Sequence, residues 1–191
     1  MDIVEAQEIL GEGFAMAAGD LQRVITELDL PKTARVLDVG TGMGSMAIAL
    51  ALNGYRVVTG EPGDDESIYA KQDWRDNARK VQVEELIEFE PFDAARMPYG
   101  DSSFAGVFLL GALHHIEEAA RPEVFRELVR IAAPGAAICI FEPKRALIEK
   151  IRARDPGHPD PADPDRYVQG LALTSRKLAG TNFEAFVYRK Q

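Results

Sequence analysis

Residues Val36 to Gly44 read VLDVGTGMG: an apolar run that ends in Asp38 and passes through Gly40, Gly42 and Gly44 into SMAIALAL. Val, Leu and Val in succession suit a buried strand, and the Ala- and Leu-rich segment suits a helix. Glycines at the junction can take positive φ and bring the backbone close to a ligand, while the free amides that open the helix favour polar or anionic groups. The junction is therefore the expected seat of a nucleoside cofactor.

Working outward, strand-like and helix-like stretches alternate. After ARVLDV and SMAIALALNG come YRVVTGE, a helical SIYAKQDWRDNARKV, LIEFEPF, FAGVFLL, the amphipathic PEVFRELVRIAA closed by Pro134 and Gly135, and AAICIFE. Near-continuous Val, Ile and Leu runs alternating with helices predict a doubly wound, Rossmann-like α/β domain with a mostly parallel sheet covered on both faces. The tail VQGLALTSRKLAGTNFEAFVYRK reads as two strands about a turn near Gly180 to Asn182, an antiparallel C-terminal hairpin that brings the expected sheet to seven strands. Ile3 to Leu10 and Leu21 to Leu28 carry apolar residues at helical spacing, so residues 1–30 form an N-terminal helical segment ahead of the domain at 31–191. KRALIEKIRAR reads as a further helix, and DPGHPDPADPD is too rich in Pro and Asp for regular structure.

A net charge of −9 over 191 residues argues against general nucleic-acid affinity, which rests on clustered Lys and Arg. The single cysteine, Cys139, lies in the apolar run AAICIF and reads as a core residue, which fits a reducing cytoplasm. The acidic start MDIVEAQEILGEG is unlike a signal peptide, and no apolar stretch approaches the ~20 residues of a membrane span. No Cys and His cluster has zinc spacing, so no metal is expected. Oligomeric state is left open.

In a sheet of this kind ligands bind just beyond the carboxyl ends of the strands. Glu61, beside Pro62, follows the second strand 21 residues after Gly40 and suits a carboxylate that accepts hydrogen bonds from two ribose hydroxyls; a solvated turn residue is the competing reading. Asp93, followed by Ala94, could accept an exocyclic adenine amine or cap a helix. Leu110 and Gly111 in LLGALHHIEE could form an apolar wall and a close backbone approach, with His114 and His115 within reach of the same cleft. His158, among Pro and Asp, reads as solvated. Tyr69, Trp74, Phe14 and Met16 read as packing residues, and Asp64, Asp65 and Glu66 as a solvated helix start.

These residues together resemble the class I S-adenosylmethionine-dependent methyltransferases. The features that carry the resemblance are VLDVGTGMG, Glu61, FDAARMPYGDSSFAGVFLLGALHHI and AAPGAAICIFEPKR, and it spans roughly Ala34 to Arg189. It implies that Gly40 and Gly42 pack against the methionine part of S-adenosylmethionine, that Glu61 holds the ribose and that Asp93 and Ala94 meet the adenine, with Asp38 near the loop or the cofactor's amino group and Thr41 and Pro62 also among the cofactor-binding residues. Ala105 departs from the Asp often found after the Phe of the fourth strand. The family places acceptor choice in the N-terminal helices and the loop after the fifth strand. The acidic charge favours a small-molecule acceptor.

Methyl transfer from a sulfonium chiefly needs alignment and desolvation of the nucleophile. A base of near-neutral pKa helps when the acceptor is a hydroxyl or protonated amine, and His115 or His114 could serve; the alternative is that they cap or pack a short helix beginning at Ile116. Two other functions compete. A protein that holds the cofactor without catalysis would share the whole motif. A nicotinamide-dependent oxidoreductase would share Glu61, but needs G-x-G-x-x-G where this chain has Ser45 in place of the third glycine.

Overall fold

The computed structural model describes residues 1–64 and 72–191. Two N-terminal helices come first, α1 (Ile3–Leu10) and α2 (Glu12–Leu28). Asp2 caps α1 by accepting from the amides of Val4 and Glu5, and Glu5 accepts from the Asp2 amide in return. There follow β1 (Arg35–Val39), α3 (Ser45–Leu52), β2 (Arg56–Gly60), α4 (Trp74–Lys80), β3 (Ile87–Phe89), β4 (Phe104–Leu110), α5 (Arg121–Ile131), β5 (Ala132–Pro143), α6 (Arg145–Arg152), β6 (Leu173–Ala179) and β7 (Phe183–Lys190). The sheet order is β3-β2-β1-β4-β5-β7-β6. β1 to β5 run parallel, and β7 runs against both of its neighbours, so six strands share one direction. The strand order reverses between β1 and β4, which makes their carboxyl ends the natural crevice.

The apolar runs are continuous because both faces of the sheet are covered. Along β5, Ala137, Cys139 and Phe141 face a core shared with α1 to α4, whereas Ile138 and Ile140 face a second core under α5. Burial pushes the Cys139 thiol up to about 12, which keeps it protonated and inert. Trp74 is buried and stacks on Phe89 with ring centroids 6.1 Å apart, and Phe14 is buried in the first core, as packing residues should be.

Several boundaries differ from expectation. α5 stops at Ile131 rather than at Pro134 and Gly135, because Ala132 already pairs with Phe104; the strand then bulges before Ala137 pairs with Gly106. LIEFEPF yields strand only at Ile87–Phe89. The short turn expected to begin at Ile116 is a 3-10 turn over Leu113–His115, so the two histidines sit inside it and Ile116 is extended. Within the expected helix SIYAKQDWRDNARKV, α4 begins at Trp74 with Asp73 as its cap; Tyr69 and the Asp65 and Glu66 of the charge run lie outside the described residues.

Two buried carboxylates hold the frame. Asp20 of α2 accepts from the backbone amides of Thr181, Asn182 and Phe183 at 2.6, 2.9 and 2.9 Å, so the turn of the terminal hairpin is fastened to the N-terminal helix. At the end of β1 the fully buried Asp38 accepts from Thr59 Oγ1 of β2 at 2.9 Å, and Thr59 in turn pairs with Thr41 Oγ1 at 2.9 Å. Its second oxygen makes no hydrogen bond of ordinary geometry among the described residues. Burial raises the Asp38 pKa to about 8, with the Glu61 carboxylate adding to the shift and the Thr59 hydrogen bond opposing it.

Asp20→Ala strands three amides and is expected to lower stability by about 2–3 kcal/mol in urea titration. Asp38 binds its proton more tightly folded than unfolded, so its contribution to stability is full below pH 4 and is lost as pH rises through about 8. In ligand-free protein, the stability of wild type relative to Asp38→Asn should therefore fall between pH 5 and 9. A difference that stays flat across that range would contradict the assignment.

Candidate functional site

A cavity of about 700 Å³ opens at the carboxyl ends of β1, β2 and β4. Gly40, Thr41 and Gly42 after β1, Glu61 and Pro62 after β2, Asp93 and Ala94 beyond β3, and Leu110 and Gly111 at the end of β4 all line it. Asp38 does not; it lies one layer beneath, under the loop that it braces through Thr59 and Thr41.

The loop's path demands glycine. Gly40 has φ of 91°, and a Cβ there would stand 2.7 Å from that of Ala112, just past the end of β4. β1 and β4 thus close on each other at the crevice only because residue 40 lacks a side chain. At the end of β2, a Cβ on Gly60 would overlap the carbonyl oxygen of Glu90 and the ring of Phe92. The next residue, Glu61, accepts from the Gly42 amide at 3.0 Å and so joins the β1 loop to the β2 loop. Asp93 accepts from the Ala95 amide at 2.8 Å, which caps a turn rather than a helix and fixes its carboxylate at the cavity's edge.

Three histidines and several apolar groups line the same cavity. His114 is buried and its Nδ1 lies 2.9 Å from Glu142 Oε2 at the end of β5. That oxygen also accepts from the Ala162 amide at 2.8 Å, so it is an acceptor and His114 Nδ1 is the donor. His115 is exposed and lines the same space. His158 is not solvated, in contrast to the reading of its Pro- and Asp-rich surroundings: it is 4% exposed, folded back against both other rings. The ring centroids of the three histidines stand 4.3, 4.9 and 5.2 Å apart. Burial, reinforced by His114, lowers the His158 pKa.

Other contributors carry little sequence signal. Gly13 and Ala17 of α2 line the cavity rather than Phe14 or Met16, and a Cβ on Gly13 would meet the end of Met43 at 3.0 Å. A glycine inside a helix is the one available hint, since its cost there calls for a reason. Ile151 of α6 and Phe183 of β7 complete the wall near the histidines.

Comparison with known proteins agrees with this architecture. Residues 37–140, more than half of the chain, match the family model described as a methyltransferase domain. The chain is 37% identical over 120 residues to 27-O-demethylrifamycin SV methyltransferase of Amycolatopsis mediterranei, covering 62% of this chain and 42% of that protein. It is 27% identical over 154 residues to demethylmenaquinone methyltransferase of Clavibacter sepedonicus, covering 81% and 56%. The chain thus spans about half the length of these relatives. In fold it is similar to the YcgJ protein of Bacillus subtilis, with a TM-score of 0.67 at 15% identity over 90% of this chain and 97% of that one. A glycine loop on β1, a carboxylate after β2, the 3-2-1-4-5-7-6 sheet and the family match lead to one assignment: the chain belongs to the class I S-adenosylmethionine-dependent methyltransferases.

Proposed function

We propose that the protein transfers a methyl group from S-adenosylmethionine to a small, largely apolar organic acceptor. The observation that carries this reading is that one cavity is lined both by the glycine loop and Glu61 and by a histidine cluster with apolar side chains. When bound, the cosubstrate supplies an electrophilic methyl group on a positively charged sulfur, and transfer neutralises that charge.

The residues present fit such a group. The close approach at Gly40 leaves backbone where a Cβ would intrude, the Glu61 carboxylate can accept from ribose hydroxyls while one oxygen holds Gly42, and Asp93 with Ala94 offers an acceptor and a small face to adenine. Asp38 contributes from below, through Thr59 and Thr41, by fixing the loop. Beyond the loop, Ile116, Ile151 and Phe183 exclude water from the acceptor, which raises the reactivity of its nucleophilic atom. Removal of the acceptor's proton falls to His115, which lines the cavity from the turn after β4, with His114, held by Glu142 and His158, packed behind it.

Relatives named for a rifamycin, a menaquinone precursor and the alkaloid norajmaline favour a small organic acceptor. The net charge of −9 disfavours nucleic acid, and a buried, unpaired cysteine suits a reducing cytoplasm. Among the described residues no helix is long and apolar enough to cross a membrane.

Calorimetric titration tests the cofactor half. S-adenosylmethionine and S-adenosylhomocysteine should bind and NAD(P)H should not; selective NAD(P)H binding would overturn the reading. Glu61→Ala should weaken S-adenosylhomocysteine binding by about 1–3 kcal/mol, since it removes a ribose acceptor and releases Gly42. His115→Ala should leave that affinity nearly unchanged while lowering turnover of an identified acceptor. Full turnover would remove His115 from the reaction.

A further inference from the structure

The rings of His114 and His158, 44 residues apart in the chain, meet with their Nε2 atoms 3.3 Å apart. Each ring's other nitrogen faces a carboxylate: His114 Nδ1 lies 2.9 Å from Glu142 Oε2, and His158 Nδ1 lies 3.3 Å from Asp155 Oδ2. With both Nδ1 atoms donating to their carboxylates, the two Nε2 atoms turn acceptor lone pairs toward each other, an arrangement that a shared proton or a bound cation stabilises. His115 brings a third imidazole, and ligand atoms of all three rings fall within 4.8 Å of one another.

We propose that His114, His115 and His158 form a binding site for a borderline-soft divalent cation of the Zn²⁺ class. The chemistry of the donors points there: neutral imidazole nitrogens suit Zn²⁺ and its d-block neighbours rather than Mg²⁺ or Ca²⁺, which take oxygen. The geometry agrees. With Zn–N bonds of about 2.0–2.1 Å, tetrahedral ligands stand about 3.3–3.4 Å apart, the separation of the two Nε2 atoms. Glu142 and Asp155 act as the carboxylates that fix tautomer and ring orientation behind metal-bound histidines. Glu142 is itself held by the Ala162 amide, and Arg152 donates to the His158 carbonyl at 2.8 Å, so the ligands on both sides of the turn are positioned by their neighbours. The third ligand needs only a modest movement of His115, the exposed member of the set.

Three histidines leave a fourth position, and all three line the cavity, so that position can be reached from it. An acceptor hydroxyl or thiol that enters it loses its proton to solvent more readily, because the cation stabilises the resulting anion. This role rests on the methyl-transfer reading of the cavity; the existence of the site does not.

The test is titration of tag-free, chelator-treated protein with Co²⁺, read by visible absorbance, followed by displacement with Zn²⁺. One equivalent should bind and give the intense bands of a tetrahedral site, which Zn²⁺ then abolishes. His158→Ala should lose the bands, and Glu142→Gln, which keeps the volume but weakens the support of His114, should lower affinity by about 10- to 100-fold. Absence of stoichiometric Co²⁺ binding, or binding that survives His158→Ala unchanged, overturns the proposal in favour of a shared proton. S-adenosylhomocysteine calorimetry on the same samples separates the two readings. Cofactor binding without Co²⁺ binding sinks the metal site alone, and the reverse sinks the methyl-transfer assignment alone.

Discussion

Everything in this molecule depends on how closely β1 and β4 can approach at the point where the strand order reverses. Gly40 and Ala112 meet there with no room for another carbon, and the loop that follows must turn at once into α3. That constraint is met by a chain of polar groups rather than by packing. Asp38 holds Thr59, Thr59 pairs with Thr41, and Glu61 holds the Gly42 amide, so the ends of β1 and β2 are stitched together around the glycines. A buried polar chain of this kind rigidifies when each member is satisfied, and its one shortfall is the second oxygen of Asp38, which makes no hydrogen bond of ordinary geometry among the described residues. The raised pKa of that carboxyl is the electrostatic mark of holding an acid beneath a cavity that must remain open.

The sequence made the glycine-loop part of the cavity legible because its determinants are local. Gly40, Gly42 and Asp38 lie within one strand-loop unit, and Glu61 follows at a spacing fixed by the intervening α3 and β2. The continuous apolar runs of β4 and β5 announced a sheet covered on both faces, and the antiparallel hairpin at its edge was visible from the turn between Ala179 and Phe183. Boundaries failed where tertiary pairing overrode local signals. Pro134 and Gly135 look like the end of a helix, yet they bulge within β5 because Phe104 recruits Ala132 into the sheet.

The histidine part of the cavity was only half legible, for a physical reason. His114 and His115 are adjacent and follow a strand, which places them. His158 sits in DPGHPDPADPD, whose composition predicts solvation, and nothing local reveals that α6 turns the chain back over the cavity. Its burial follows from contacts with rings more than forty residues away, and Arg152 fixes the backbone from the last turn of the same helix. Composition describes what a segment can do alone; here a neighbouring element decides what it does.

The cavity wall is also held in different ways. The glycine-loop part is fixed at the ends of β1 and β2. α2, α6 and the β6–β7 turn, which lie outside the parallel strands, are tied together by hydrogen bonds, while α2 also packs on α1 and α3. Asp20 gathers the amides of Thr181, Asn182 and Phe183, the Asn182 side chain donates to the Met16 carbonyl, and Lys144 binds the Asn182 and Gly180 carbonyls where β5 gives way to α6. Ala17, Ile151 and Phe183 line the cavity from these elements. Gly13 of α2 instead reaches the glycine loop, where a Cβ would meet the end of Met43 at 3.0 Å. A change at Asp20 or Asn182 displaces several wall residues together. The glycine loop and the helical and hairpin contacts thus rest on different elements, and they meet where Gly13 lies beside Met43 and at the turn after β4, where Ala112 closes on Gly40 and His114 lies beside Gly111.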